Sequence, residues 1–366
     1  MKSVGIITFH AAHNYGSNLQ AYALQKVIRK LGLRCEIINF RTPRQRDQYT
    51  PLTKRKGIKY IFKNLYFAIN YRNRKTKYLK FESFIDKYLE KSFAEYKSLE
   101  ELQEDPPKYD YYISGSDQIW NTVPLDADMA YFLPFVKNSR KIAYAPSFGQ
   151  IGNIEHRDQI AEYINQYDCL SVREKFGQDL IKQMTGQTVP ILIDPTMLLD
   201  KKEWEKIIPG KIVEGEYIFF YTLFADKQMI EIVKKISAFT GLKVVISNIS
   251  NQYEILSGFE KKTASGPLEF LSLVKYSKLV CTTSFHGTVF SILLERPFLV
   301  INGMEDNRIS TLLGMTAFTN RAVDAKSIVT VEKNIFNIDF TKSTKSIEKE
   351  KEKALNYLKE ALEIEE

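Results

Sequence analysis

Short apolar runs of strand length alternate with amphipathic stretches of helix length over most of the chain. The pattern begins with SVGIITF at residues 3–9 and continues with NLQAYALQKVIRKLG at 18–32 and RCEIINF at 34–40. In the middle stretch, apolar residues recur with the period of a helix face, and Gly32 suits the position just past a helix end. A strand, a helix and a second strand in this order predict a parallel sheet.

The alternation restarts in the second half of the chain, so we expect two α/β domains. The chain has 366 residues, and about 150 residues per domain is a common prior. Later strand-like runs are YIFFYT at 217–222, LKVVIS at 242–247, KLVCTT at 278–283 and PFLVI at 297–301. We expect Rossmann-like domains at 1–200 and 201–340, joined within DPTMLLDKKEWEKIIPG, and a terminal amphipathic helix at 341–366.

A basic segment interrupts the first of these domains. Residues 41–80 hold thirteen Lys or Arg residues against one acid, Asp47, and the net charge of the chain is +8. Such a charge favours an anionic partner, whether nucleic acid, phosphorylated metabolite or membrane surface. We expect a basic helical insertion at about 41–105. It suits a helix on an anionic membrane face, and equally a solvated helix packed on its aromatic side.

We expect no signal peptide, because MKSVGIITF is a short strand-like run followed at once by polar residues. No apolar run approaches the ~20 residues that span a bilayer. No RNA-binding motif accompanies the basic segment, so we expect no nucleic acid. We expect a cytoplasmic protein that lies at the inner membrane face if the basic segment binds lipid.

In parallel sheets, ligands collect where strands end and helices begin, and this rule selects His286. It is one of four histidines and lies in Ser284-Phe-His-Gly287-Thr288, between KLVCTT and TVFSILLE. Small residues leave backbone N–H groups accessible, and a helix start favours phosphate or carboxylate. The segment suggests an anion site with a histidine that exchanges a proton. The alternative is a histidine at the core edge that caps a loop.

The loop HAAHNYGSNLQAYAL at 10–24 is a second strand-to-helix connection. It holds two histidines and two asparagines beside Gly16, and capping of the helix by Ser17 does not explain them all. We interpret it as a polar lip over a cleft, with ordinary capping as the alternative.

Two further strand ends carry polar residues. SGSDQIWN at 114–121 contains Asp117, Gln118 and Trp120, for which a turn with a buried tryptophan is the alternative. SVRE at 171–174 contains Arg173, and a guanidinium binds carboxylate or phosphate in bidentate fashion. The alternative for Arg173 is a surface ion pair.

Together these segments resemble the polysaccharide pyruvyl transferase family over about residues 4–315. They occur in the order NYGSNLQAYAL, GSDQIWN, YAPSFG, SVRE, ILIDPTMLL, GPLEFLSLV, TTSFHGTVFSILLERPF, DNRISTLLG. The resemblance implies a GT-B-like fold, with two Rossmann-like domains around a cleft. It also implies transfer of the enolpyruvyl group of phosphoenolpyruvate to a sugar, which forms a pyruvate ketal. We expect the acceptor to be a lipid-linked or polymeric glycan of capsule or exopolysaccharide biosynthesis, and the basic segment suits a glycan attached to a lipid diphosphate. We expect no cofactor or metal, with phosphoenolpyruvate as co-substrate.

The resemblance also implies roles for individual residues. The donor-site histidine and arginine of the family match His286 and Arg173. Ser284 stands where relatives have an arginine, so that anion contact is either missing or supplied by Arg308 or Lys275. We expect catalysis by His286 and Asp117. The expected donor site comprises Arg173, Ser284, Gly287, Thr288 and Arg308, and the expected acceptor site comprises His13, Asn14, Tyr15, Asn18, Gln118 and Trp120.

Two other functions remain open from the sequence. A GT-B glycosyltransferase with a nucleotide-sugar donor has the same fold. The third possibility is a sugar- or nucleic-acid-binding protein without catalytic activity.

Overall fold

The computed structural model describes residues 2–52, 57, 64–65, 68, 70–149, 155–224, 226–247, 258–324 and 333–364. The chain divides into two compact units. The first comprises Met1–Tyr71, Phe81–Leu199 and Lys349–Glu366, and the second comprises Arg72–Lys80 and Asp200–Glu348. In this part of the chain the division between the units lies between Leu199 and Asp200.

The first unit contains a parallel sheet of five strands. In chain order they are β1 (Ser3–Ile7), β2 (Arg34–Phe40), β3 (Lys91–Tyr96), β4 (Tyr111–Asp117) and β5 (Arg140–Pro146). Their order in the sheet is β3-β2-β1-β4-β5, with Val4 of β1 paired to Cys35 on one side and Tyr111 on the other. Almost every residue of β1 and β4 is buried, as expected for central strands of a sheet covered on both faces.

Helices connect these strands or follow the last of them. They are α1 (Tyr15–Lys30), α2 (Pro43–Tyr49), α3 (Tyr71–Tyr88), α4 (Leu99–Glu104), α5 (Arg157–Ile164) and α6 (Lys175–Thr185). Asn14 caps α1, since its side chain accepts from the Gly16 backbone N–H at 2.9 Å, and Arg29 and Lys30 lie in the last turn, where cations are favoured.

The second unit repeats the plan. Its strands are β6 (Tyr217–Tyr221), β7 (Lys243–Ile246), β8 (Glu260–Lys261), β9 (Leu279–Thr282), β10 (Phe298–Ile301) and β11 (Ala322–Val323), all parallel, in the order β11-β10-β9-β6-β7-β8. Its helices are α7 (Lys201–Glu205), α8 (Lys227–Thr240), α9 (Pro267–Lys275), α10 (Phe285–Leu293) and α11 (Asn307–Met315). Branched and aromatic residues of β6, β7, β9 and α8 form its core.

The terminal helix α12 (Thr341–Ala361) returns to the first unit from residue 349 onward. The Tyr357 hydroxyl donates to the Ala143 carbonyl at 2.9 Å, and Lys353 Nζ donates to the Ile191 carbonyl at 2.8 Å. Ala354 and Leu358 are fully buried on the same face. No described helix is long and apolar enough to cross a membrane.

Two expectations about the first domain are corrected. The region 41–105 is not a purely helical insertion, because Lys91–Tyr96 forms the edge strand β3 beside β2. The apolar runs CLSV at 169–172 and VPILI at 189–193 predict two further strands, but they form only isolated parallel bridges, Ile142 with Cys169 and Val172 with Ile191. Within the basic segment, residues 53–56, 58–63, 66–67 and 69 lie outside the described residues.

Candidate functional site

The strand order of the second sheet has its switch point between β6 and β9. From β6 the chain builds outward through β7 and β8 on one side, and through β9, β10 and β11 on the other. The two connections that leave β6 and β9 therefore diverge to opposite faces, and the crevice between them is where doubly wound sheets bind ligands.

His286 occupies this switch point. β9 ends at Thr282 and α10 begins at Phe285, so only two residues connect strand and helix. His286 thus lies inside the first turn of α10, and not in a loop before a helix that begins at Thr288, as the sequence suggested. Ser284 is the N-cap, and its side chain accepts from the Gly287 N–H at 3.4 Å. The first N–H groups of a helix have no carbonyl partner within it and favour an anion.

Gly287 is required by the packing beneath this turn. A Cβ built there would lie 2.3 Å from Thr282 Oγ1 and 3.0 Å from Tyr221 Cδ1. The Thr282 hydroxyl is itself fixed, since it donates to the Tyr221 carbonyl at 2.7 Å and accepts from the Ser284 N–H at 3.0 Å. The small residue lets α10 start directly above β9, which holds the His286 backbone in place.

The predicted donor-site residues of the second unit lie near His286 in sequence or on a neighbouring helix. The Thr288 hydroxyl donates to the Ser284 carbonyl at 3.0 Å, so it serves the helix turn. Arg308, in the first turn of α11, donates from Nε to Asp306 Oδ1 at 3.0 Å. Burial alone would raise the pKa of Asp306, but Arg308 outweighs it and lowers that pKa. Lys275 pairs with Glu205 at 3.3 Å.

The first sheet has an equivalent switch point between β1 and β4, and the segments that follow these two strands are in contact there. Ser17 Oγ donates to Asp117 Oδ2 at 2.5 Å, which ties the start of α1 to the end of β4. Asp117 Oδ1 accepts from the Gln118 N–H at 2.9 Å. The carboxyl ends of β1 and β4 thus place two side chains that are 100 positions apart in sequence within hydrogen-bonding distance.

Arg173 is buried in a cluster of carboxylates. Its side chain is 1% exposed, with Nη1 2.8 Å from Asp194 Oδ2, Nη2 3.6 Å from Asp117 Oδ1 and Nε 3.9 Å from Glu174 Oε2. Burial alone would lower the pKa of Arg173, but attraction to the three carboxylates outweighs it and raises that pKa. The guanidinium therefore serves as the internal counter-charge of this cluster.

His13 lies in an aromatic stack. Its ring is parallel to those of Phe81 and Tyr49, at centroid distances of 4.8 and 4.9 Å. Its Nε2 lies 2.8 Å from Glu82, which also binds Arg41 through two hydrogen bonds. Burial alone would raise the pKa of Glu82, but His13 and Arg41 outweigh it and lower it to about 2.

The remaining acceptor candidates divide by exposure. Tyr15, Asn18 and Trp120 are buried, and Asn14 and Gln118 are partly accessible. Trp120 is corrected as a sugar-stacking residue: it is fully buried, its ring stacks on Phe132 at 5.4 Å, and its indole N–H donates to Ser114 Oγ at 3.1 Å. This is the alternative considered for SGSDQIWN.

Sequence reasoning missed Asp194. It follows the apolar run VPILI, so the rule that selected Asp117 also selects Asp194.

Two doubly wound parallel sheets, each with polar residues at its switch point, define a protein built from two Rossmann-like domains of the GT-B kind. Solved structures similar to this chain include S. aureus MnaA with UDP, with a TM-score of 0.50 and 11% identity, covering 100% of this chain and 98% of that one. At this identity the likeness to MnaA concerns the fold alone. Other similar structures are UDP-GlcNAc 2-epimerase from Neisseria meningitidis bound to UDP-GlcNAc, with a TM-score of 0.46 and 12% identity, covering 99% of both chains, and E. coli heptosyltransferase WaaC with ADP, with a TM-score of 0.41 and 12% identity, covering 95% of this chain and 99% of that one.

The family described as polysaccharide pyruvyl transferase matches residues 14–303. The chain belongs to this family. The match includes both switch points, with Asp117, Arg173 and His286 inside it. No curated protein matches the chain significantly.

Proposed function

We propose that this protein transfers the enolpyruvyl group of phosphoenolpyruvate to a sugar and forms a pyruvate ketal. The observation that carries the proposal is His286 in the first turn of α10, at the switch point of the second sheet, in a chain of the pyruvyl transferase family. The acceptor we propose is a lipid-linked or polymeric glycan of capsule or exopolysaccharide biosynthesis.

The charge distribution suggests how the donor is held. Phosphoenolpyruvate carries a phosphate and a carboxylate, and both are favoured by the N–H groups and partial positive charge at the start of α10. Arg308 in the first turn of α11 is the proposed additional cation, because Ser284 replaces the arginine of relatives. We no longer propose Arg173 as a donor ligand, since an anion there would compete with Asp194 and Asp117 for a buried guanidinium.

The reaction requires one proton to reach carbon and a second to leave with phosphate. One sugar hydroxyl adds to C2 of the enolpyruvyl group while His286 protonates C3, converting the methylene to a methyl group. The proton of that hydroxyl returns to the histidine. A second hydroxyl then replaces phosphate at C2, and its proton leaves with the phosphate. Asp117 remains our candidate for orienting an acceptor hydroxyl.

The test is phosphate release from phosphoenolpyruvate in the presence of glycan acceptors. We expect His286→Gln to lower the rate by about 10²–10⁴-fold, the usual contribution of a general acid–base group. His156→Gln is the matched control, because His156 is exposed at the start of α5. Wild-type turnover by a folded His286→Gln protein would remove the histidine from the mechanism.

The same assay separates this function from that of a nucleotide-sugar transferase. Phosphate release from phosphoenolpyruvate supports the proposal, whereas nucleotide release from UDP- or ADP-sugars with no phosphate release would contradict it. Both donors are added to the same preparation, so an inactive preparation is not mistaken for a negative result.

We further propose that the basic segment at 41–80 contacts anionic lipid when the acceptor is membrane-linked. Arg72 and Lys75 are exposed in the first turns of α3. A Lys or Arg near an anionic surface contributes about 1 kcal/mol, so Arg72→Gln with Lys75→Gln should lower vesicle binding tenfold or more. Lys234→Gln with Lys235→Gln on α8 is the control. Equal binding to neutral and anionic vesicles would contradict the proposal.

A further inference from the structure

Exposed apolar side chains of the second unit are concentrated near the carboxyl ends of the strands of its sheet. In the described part of residues 200–348, four large hydrophobic residues are exposed: Leu223 at 43%, Phe224 at 81%, Phe239 at 49% and Met304 at 55%. Leu223 and Phe224 directly follow β6, and Met304 follows β10. Because β9 lies between β6 and β10, these three residues flank the connection that leads to His286.

Hydrogen bonds to Thr222 fix the backbone of Phe224 in a turn, and its side chain is exposed there. The Phe224 N–H donates to Thr222 Oγ1 at 3.2 Å, and Thr222 Oγ1 lies 2.5 Å from the Phe224 carbonyl oxygen. The Thr222 hydroxyl also lies 2.6 Å from that of Thr283, in the connection between β9 and α10. The loop that presents the phenyl ring is thus joined by a hydrogen bond to the loop that precedes His286.

An apolar surface beside an anion site needs an uncharged occupant. The face of an aromatic ring carries partial negative charge, so it disfavours a phosphate or carboxylate. It favours the C–H face of a sugar ring, which is apolar even though the edges of the ring carry hydroxyls. The phosphoenolpyruvate site at α10 and the phenyl ring therefore suit different reactants.

We propose that Phe224, with Leu223 and Met304 beside it, is a platform on which the acceptor sugar stacks next to His286. This inference rests on the proposed function. It places an acceptor contact in the second unit, whereas the acceptor residues predicted from the sequence all lie in the first. Stacking would hold the ring so that two hydroxyls at its edge reach the same carbon of the donor.

The test uses full-length protein and two defined hexosides with free hydroxyls at positions 4 and 6, methyl β-D-glucopyranoside and methyl β-D-galactopyranoside. Saturation-transfer NMR measures their binding, and phosphorus NMR line broadening measures phosphoenolpyruvate binding to the same samples. We expect Phe224→Ala to weaken binding of at least one hexoside by about tenfold and to leave phosphoenolpyruvate binding unchanged. Phe224→Trp should restore the hexoside signal.

Phe239→Ala is the matched control, because Phe239 is an exposed phenylalanine in the last turns of α8, away from the carboxyl ends of the strands. Hexoside binding that is absent in the wild type, or unaffected by Phe224→Ala, overturns the platform. Loss of phosphoenolpyruvate binding with intact hexoside binding also overturns it. If a Phe224-dependent hexoside signal is present and phosphoenolpyruvate does not bind, the platform stands and the proposed donor is wrong.

Discussion

Replacing Arg173 with methionine separates a structural counter-charge from a ligand-binding residue. The substitution keeps most of the apolar volume and removes the guanidinium, leaving Asp194, Asp117 and Glu174 without their shared cation. The side chains of Arg173, Asp194 and Glu174 are at most 1% exposed, so solvent screens the remaining charges poorly.

The magnitude follows from this burial. Removing one partner of a buried ion pair costs about 3–5 kcal/mol, a large part of the 5–15 kcal/mol that stabilises a typical domain. The cluster has one positive and three negative groups, so Arg173→Met changes its formal charge from −2 to −3. Adding Asp194→Asn returns it to −2. We therefore expect the double variant to be more stable than the sum of the two single effects predicts.

Urea unfolding followed by tryptophan fluorescence measures the free energy of unfolding of the first unit, which contains Arg173. The chain has two tryptophans, so a Trp204→Phe background leaves Trp120, which is buried in the first unit, as the reporter. Lys175→Met is the control, because the Lys175–Asp179 pair is exposed and should contribute less than about 1 kcal/mol. The structural role would be refuted if the free energy of unfolding of Arg173→Met lay within 1 kcal/mol of that of the control and phosphoenolpyruvate binding were lost. Arg173 would then return to the donor site.

Two further predictions concern His10 and Gly287. Burial lowers the pKa of His10 from 6.5 to about 4, so the folded state binds this proton more weakly than the unfolded state. Its stabilisation is complete above pH 6.5 and is lost as the pH falls towards 4; about 2 kcal/mol should be lost by pH 5. His10→Gln should abolish that part of the pH dependence in urea unfolding, and an unchanged profile would contradict the assignment. Gly287→Ala should shift the first turn of α10, lower phosphate release at least tenfold and destabilise the second unit by about 1–3 kcal/mol. Gly314→Ala on α11 is the control and should be neutral or stabilising, because a Cβ built at Gly314 has no neighbour within 4 Å. Wild-type activity of Gly287→Ala would refute the steric argument.

The sequence alone was sufficient where the signal is local. Periodicity predicts α1, because a helix packed on a sheet buries one face. Apolar runs bounded by glycine, proline or polar residues predict β1, β6 and β9, because strands of a parallel sheet are buried on both faces. The strand-end rule also selected Asp117 and His286, since parallel strands place their carboxyl ends on one edge of a sheet. The family follows from the order of these segments, which needs no coordinates.

The tertiary structure decided what each polar side chain faces. The segment SVRE does not show whether Arg173 contacts solvent, a ligand or three carboxylates, because Asp117 and Asp194 are distant in sequence. The segment SGSDQIWN does not show that Trp120 is buried against Phe132. Likewise, the sequence after β6 does not show that Phe224 is exposed. Residue type and spacing set which segments form strands and helices, but the burial and charge of a side chain depend on neighbours that only the folded chain brings together.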